Sequence, residues 1–80
     1  MTITFDEVLK KIKSGKTVEL VFRLMGSLIS RHELSFEDGK IRDFSYVDST
    51  TSYTSVKQYR KGFYGKMFDQ KRVELSEERY

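Results

Sequence analysis

HELSFEDGKIRDFSYV, residues 32–47, is the stretch on which the fold turns. Two runs of alternating apolar and polar residues meet at Asp38-Gly39. An Asp-Gly pair in that setting marks a tight hairpin, because both central residues of a type I′ turn require positive φ. Two registers are open. A two-residue turn pairs Glu37 with Lys40, Phe36 with Ile41 and Leu34 with Asp43, and puts Phe44 and Tyr46 on the opposite face from Leu34. A three-residue loop with a glycine bulge pairs Phe36 with Lys40 and gathers Leu34, Phe36, Phe44 and Tyr46 on one face. The second register collects the aromatics and is the preferred one. His32 then lies on an apolar face as a hydrogen-bonded structural residue, since no motif supplies a nucleophile or an orienting acid at known spacing.

Upstream of the hairpin, Thr4-Phe5-Asp6-Glu7 reads as a capping box, with Ile3 and Val8 as the matching hydrophobic staple. Phe5, Val8, Leu9 and Ile12 fall on one helical stripe. Asp6 and Glu7 suit the positive end of the helix dipole, Lys10, Lys11 and Lys13 the negative end, and Gly15 the turn beyond it. A helix is expected from about Thr4 to Ser14. From Lys16 the period becomes 2: Val18, Leu20, Phe22 and Leu24 define the inner face of a strand, whose outer face is interrupted by Val21 and Met25. Gly26-Ser27 is the expected reversal, and Leu28 to Phe36 the next strand.

Downstream, Asp48 to Ser55 (DSTTSYTS) reads as polar loop. Ser55-Val56-Lys57-Gln58 is a second capping box, opening a helix with Val56, Tyr59 and Phe63 inward and limited by Gly62 and Gly65. A strand is the competing reading of 55–65, because Thr, Tyr and Val are dense there. Val73 to Leu75 reads as a short last strand and Ser76 to Tyr80 as a solvated tail. The element order α-β-β-β-α-β describes a single α+β domain over residues 1–80, with helices on one face of a three- to four-stranded antiparallel sheet.

Composition bounds the rest. Eighty residues bury only about 60% of their unfolded surface or slightly more, so a partner or second copy would help stability. With no cysteine and one histidine, neither disulfides nor a zinc-type metal site is expected, and a reducing cytoplasm is the natural setting. No signal peptide, membrane span or cofactor motif is seen, so no membrane partner and no cofactor are expected. The net charge of +3 is distributed in blocks. Residues 32–52 carry five acidic and two basic side chains, and residues 53–72 carry six basic and one acidic. Such segregation suggests a bipolar surface.

The helix, three strands and second helix resemble the double-stranded RNA-binding domain in topology. That family opens its second helix with a lysine cluster and continues with small alanine-type residues. Ser55 to Gly65 (SVKQYRKGFYG) has no alanine and carries tyrosines, so no functional residue transfers. Glu7 to Phe22 (EVLKKIKSGKTVELVF), with the hairpin about Asp38-Gly39, resembles small phage-encoded anti-CRISPR proteins over about 60 residues. One of these pairs an opening amphipathic helix with a three-stranded meander and a following helix. The resemblance implies an inhibitor of a host defence nuclease complex. Members that imitate DNA are strongly acidic; in this basic chain such a mechanism would have to use an acidic patch of Glu33, Glu37, Asp38, Asp43 and Asp48.

No glycine-rich phosphate cradle, serine elbow, zinc spacing or calcium loop is present. The first functional expectation is therefore a non-enzymatic module that binds a larger protein or ribonucleoprotein complex. Its anchors would be Tyr53, Tyr59, Arg60, Tyr64 and Arg72, supported by Lys57, Lys61, Lys66 and Lys71. The alternative is nucleic-acid binding by the same basic, aromatic segment 53–72. A second alternative is a small ribonuclease using Tyr59, Arg60, Lys61 and Tyr64. Homodimerisation through a free sheet edge is a further expectation.

Overall fold

A computed structural model describes residues 2–80. The elements run α1 (Phe5–Lys13), β1 (Thr17–Leu24), β2 (Ser27–Glu37), β3 (Lys40–Ser45), β4 (Thr50–Thr54), α2 (Val56–Lys61), α3 (Phe63–Asp69) and β5 (Val73–Arg79). The five strands form one antiparallel sheet in the order β4-β3-β2-β1-β5, and the domain is of the α+β class. Among the described residues no helix is long and apolar enough to cross a membrane.

The opening helix forms for the reasons its sequence declares. Glu7 N–H donates to Thr4 Oγ1 at 3.1 Å and Thr4 N–H to Glu7 Oε1 at 2.9 Å, completing the capping box. Its stripe of Phe5, Val8 and Ile12 is buried against Val18, Leu20 and Phe22 of β1 and Leu34 of β2. Glu78 of β5 receives two lysines from this end of the molecule, Lys11 Nζ at 2.7 Å and Lys16 Nζ at 2.9 Å. Their hydrogen bonds hold its carboxyl at about 2, against an ordinary 4.5. A depressed folded pKa gives stability that is fully present above the unfolded value of 4.5 and is lost as pH falls through about 2. In an NMR titration the Glu78 carboxyl should therefore turn over near 2, and should move back toward 4.5 in a Lys11→Ala/Lys16→Ala variant. An unmoved midpoint would show that the lysines do not hold it.

The hairpin register is the two-residue one: Glu37 pairs with Lys40, Phe36 with Ile41 and Leu34 with Asp43. The bulged loop preferred from sequence is corrected by the turn itself. Asp38 and Gly39 both take positive φ, 52° and 76°, so a type I′ turn closes the strands without an extra residue. Phe44 and Tyr46 consequently lie on the open face, away from the helices, and Ile41 and Asp43 enter the core side.

Three other expectations are revised. Residues 50–54 are a strand and not loop: β4 pairs with β3 from Ile41↔Thr54 to Ser45↔Thr50. The expected helix over 55–65 is divided at Gly62, whose extended ψ of 179° ends α2 and caps α3. The tail from Ser76 continues β5, pairing as far as Thr17↔Arg79 after a bulge at Ser76.

The two sheet faces differ in chemistry. The covered face packs a chain of rings: Tyr59 on Phe5 at 5.9 Å, Phe5 on Phe68 at 5.4 Å, and Phe68 on Phe22 at 5.9 Å between centroids. The open face is a mesh of ion pairs: Arg31–Glu19 at 3.1 Å, Arg42–Glu33 at 3.7 Å and Arg79 with Glu33. Val21 is buried on that face, paired with Arg31 and Glu74 in the register.

Candidate functional site

Among the described residues two places combine exposure with organised chemistry: a polar cleft beside β4, and an apolar end where several loops meet. The cleft has a volume of about 320 Å³ and lies between the covered face of β3–β4 and the α2–α3 junction. Strand periodicity builds one wall, since Thr50, Ser52 and Thr54 alternate with the outward-facing Thr51 and Tyr53. Ser55 caps α2 by accepting the Gln58 N–H at 3.2 Å, and Gln58, Tyr59, Phe63 and Tyr64 form the other wall.

At its floor sit His32 and Asp43. His32 Nδ1 lies 2.6 Å from Asp43 Oδ1 and Nε2 lies 2.5 Å from Ser30 Oγ, while the Tyr64 hydroxyl donates to Ser30 Oγ at 3.5 Å. A self-consistent donor chain runs from Tyr64 through Ser30 and His32 to the Asp43 carboxylate. The His32 ring is packed between Phe22, at 5.1 Å, and Tyr64, at 4.3 Å. Serine, histidine and aspartate occur here in the order of a hydrolase triad, but Ser30 is 3% exposed and does not line the cleft. An attacking hydroxyl must reach a substrate carbonyl, so the arrangement acts as a buried polar tie between β2 and β3. No sequence motif marks Asp43 as the orienting acid of His32, and in the bulged register it would point away from that ring. The two-residue register would have supplied Asp43 one step diagonally across the strand pair.

The Tyr59 hydroxyl is buried beside this network and makes no hydrogen bond. Burial, reinforced by the Asp43 charge and by Tyr64, pushes it well above the ordinary phenol range. Among the described residues, no group of three or more His, Cys, Asp or Glu side chains is placed to hold a metal ion.

The apolar end is assembled from separate parts of the chain. The end of the β1–β2 hairpin supplies Leu24, Met25, Leu28 and Ile29, the β3–β4 turn supplies Val47, and α3 begins with Phe63. Met25 is 90% exposed, Val47 70%, Phe63 67% and Leu28 53%. One shallow depression joins Leu24, Ile29 and Phe63 with Lys66 and Met67; a second joins Ile29 and Leu28 with Tyr46 and Val47. A third places Met25 beside Lys71 and Arg72. Ile29 joins the first two depressions and Gln70 the first and third, and Lys66, Lys71 and Arg72 border them together with Glu74.

The residues expected from sequence to bind a partner do not form one surface. Tyr59 is core, and Tyr64 is partly buried on Phe22 at 4.8 Å. Arg60 is occupied at the α1–α2 contact, 2.6 Å from Asp6 Oδ1 and 4.8 Å from the Phe5 ring. Tyr53 is exposed on the open face, opposite Arg42, while Lys57 and Lys61 are exposed on α2. Lys66, Lys71 and Arg72 are brought together at the margin of the apolar end. The acidic residues are also dispersed. Asp43 is buried on the covered face, Glu33 is tied to arginines on the open face, Glu37 and Asp38 sit at the β2–β3 turn, and Asp48 is in the β3–β4 turn bonded to Thr50.

The apolar end was missed because Leu28 and Ile29 read as strand interior and Phe63 as a helix's inner face. The reversal falls at Met25-Gly26 and not at the expected Gly26-Ser27, so a methionine stands in a tight turn with no interior to face. Comparison of the chain with protein-family models, with curated proteins and with solved structures returns no match.

Proposed function

We propose that the protein is a non-enzymatic binding module that docks its apolar end on a larger protein or ribonucleoprotein complex. This is the mode of action of a phage-type inhibitor that occludes a face of a host defence nuclease complex. One observation carries the reading: six apolar side chains from three separate segments converge at one end of a small domain. Contiguous exposed apolar surface rimmed by polar residues marks an interaction site. Met25 adds weight, since it holds φ at 53° in a turn where glycine or asparagine would fold at lower cost, and its side chain projects outward. Lys66, Lys71 and Arg72 at the margin select a partner face that is apolar at its centre and acidic around it.

Affinity capture from a host lysate tests this, comparing the wild type with a Leu28→Asp/Phe63→Asp variant. Both side chains are exposed, so the variant keeps its thermal stability. Loss of two central anchors should weaken binding on the order of 100-fold or more, and the captured species should disappear. Equal capture by both proteins overturns the reading. Nuclease treatment of the lysate separates the alternative: a catch lost with the nucleic acid assigns the contact to the basic segment 53–72.

A further inference from the structure

The two edges of the sheet are protected very differently. At the β5 edge, Ile3 N–H donates to the Val73 carbonyl at 3.0 Å, and Thr2 bridges Glu74. The same strand carries Glu74, Glu77, Glu78 and Arg79, charges that discourage addition of a further strand. The β4 edge has neither device. Its sequence, TTSYT, holds no charge, no proline and no bulge, and all but its last residue are exposed.

The hairpin register fixes which backbone groups of β4 are free. Glu37 and Lys40 close the two-residue turn as a hydrogen-bonded pair, and alternate pairs follow from it. Tyr46 N–H donating to the Arg31 carbonyl at 3.0 Å continues the same phase. Lys40, Arg42 and Phe44 therefore bond toward β2, whereas Ile41, Asp43 and Ser45 bond toward Thr54, Ser52 and Thr50 of β4. The N–H and C=O groups of Thr51 and Tyr53 are left pointing away from the sheet, spaced for one more antiparallel strand.

We infer that the occupant of this edge is a second copy of the same chain, joined β4 to β4 about a two-fold axis through Ser52. That register uses every free group. Thr51 and Tyr53 of the second copy exchange both backbone hydrogen bonds, and symmetry repeats the exchange, giving a continuous sheet through both protomers. Centring the axis on Thr51 instead would need pairing to Ser49, which φ of 56° removes from the strand. Side chains also match. Tyr53 meets Thr51 of the second copy on the open face, an aromatic and β-branched pair that extends the row already formed by Arg42↔Tyr53 and Phe44↔Thr51. Ser52 lines the cleft of each protomer, so the axis also brings the two clefts side by side. This inference rests on the edge geometry of β4 and is independent of the docking reading, which uses the β1–β2 hairpin end, Val47 and Phe63.

Sedimentation between about 10 μM and about 1 mM should show a concentration-dependent monomer–dimer equilibrium, the range expected for so small an interface. Thr51→Pro removes an outward N–H without touching the β3–β4 ladder, and should leave a folded monomer. Tyr53→Lys, which adds charge to the edge, should do the same. Ser52 faces its own copy as a non-hydrogen-bonded pair, with Cα atoms about 4.5 Å apart. Ser52→Cys should therefore form an intermolecular disulfide readily on mild oxidation, and Tyr53→Cys poorly. A monomer at every concentration overturns the inference, as does a dimer that survives both edge variants or equal oxidation of the two cysteine variants.

Discussion

Gly65→Ala should lower the stability of the domain by roughly 2–3 kcal/mol. Helix propensity alone argues the opposite sign, because alanine is about 1 kcal/mol better than glycine inside a helix. Packing decides. A Cβ at residue 65 would lie 2.1 Å from the Tyr59 carbonyl oxygen and 2.4 Å from that of Arg60, and both are backbone atoms that cannot turn aside. The α2–α3 junction would have to open, taking Tyr59, Met67 and Phe68 out of register with Phe5 and Phe22. In thermal unfolding the loss should appear as a drop of roughly 10–20 °C. Gly62→Ala is the control. There a Cβ meets its nearest atoms at 3.5 Å, ordinary contact, and the change should fall below about 1 kcal/mol. Equal effects at the two glycines would show that helix propensity and not close approach governs the junction.

The second large effect belongs to the His32–Asp43 pair. His32→Leu leaves a 7% exposed carboxylate without its partner, and Asp43→Leu leaves the imidazole Nδ1 unbonded in the core. Each should cost about 3 kcal/mol. The double variant His32→Leu/Asp43→Leu removes both polar groups together and should cost less than the sum of the two by about 1–3 kcal/mol. Denaturant unfolding of the four proteins closes the cycle. Strict additivity would mean that the 2.6 Å contact contributes nothing beyond two separate burials.

Much of the fold is legible in the residues. The Thr4–Glu7 box, the stripe from Phe5 to Ile12, the alternation from Val18 to Leu24 and the Asp38-Gly39 turn each state a local preference that tertiary contacts reinforce. The register was less legible, because gathering Phe44 and Tyr46 with Leu34 promises more apolar burial than admitting Asp43. What reverses the balance is a partner on the neighbouring strand: His32 makes the buried carboxylate tolerable, and that pairing is visible only in three dimensions. β4 does not show in the sequence because an edge strand of threonine and serine has no apolar period, and one ladder with β3 suffices to order it. Residues 76–79 are hidden for the same reason; their order comes from β1 and from Arg79 on Glu33. The apolar end is not legible in the residues, because the exposure of Leu28, Val47 and Phe63 depends on hairpin lengths and on where Gly62 breaks the helix.

The strand order β4-β3-β2-β1-β5 has a kinetic consequence. Helix α1 and the β1–β2, β2–β3 and β3–β4 hairpins are all local pairings, which form early and quickly. β1, which supplies the fully buried Val18, Leu20 and Phe22, gains its second neighbour only through Leu20↔Leu75 and the pairings around it. Closing that loop spends chain entropy before any contact repays it, so the docking of β5 on β1 should be the slow step of folding. Until residues 73–79 arrive, the most apolar strand of the domain presents an open edge, and misassembly competes for that edge during this interval.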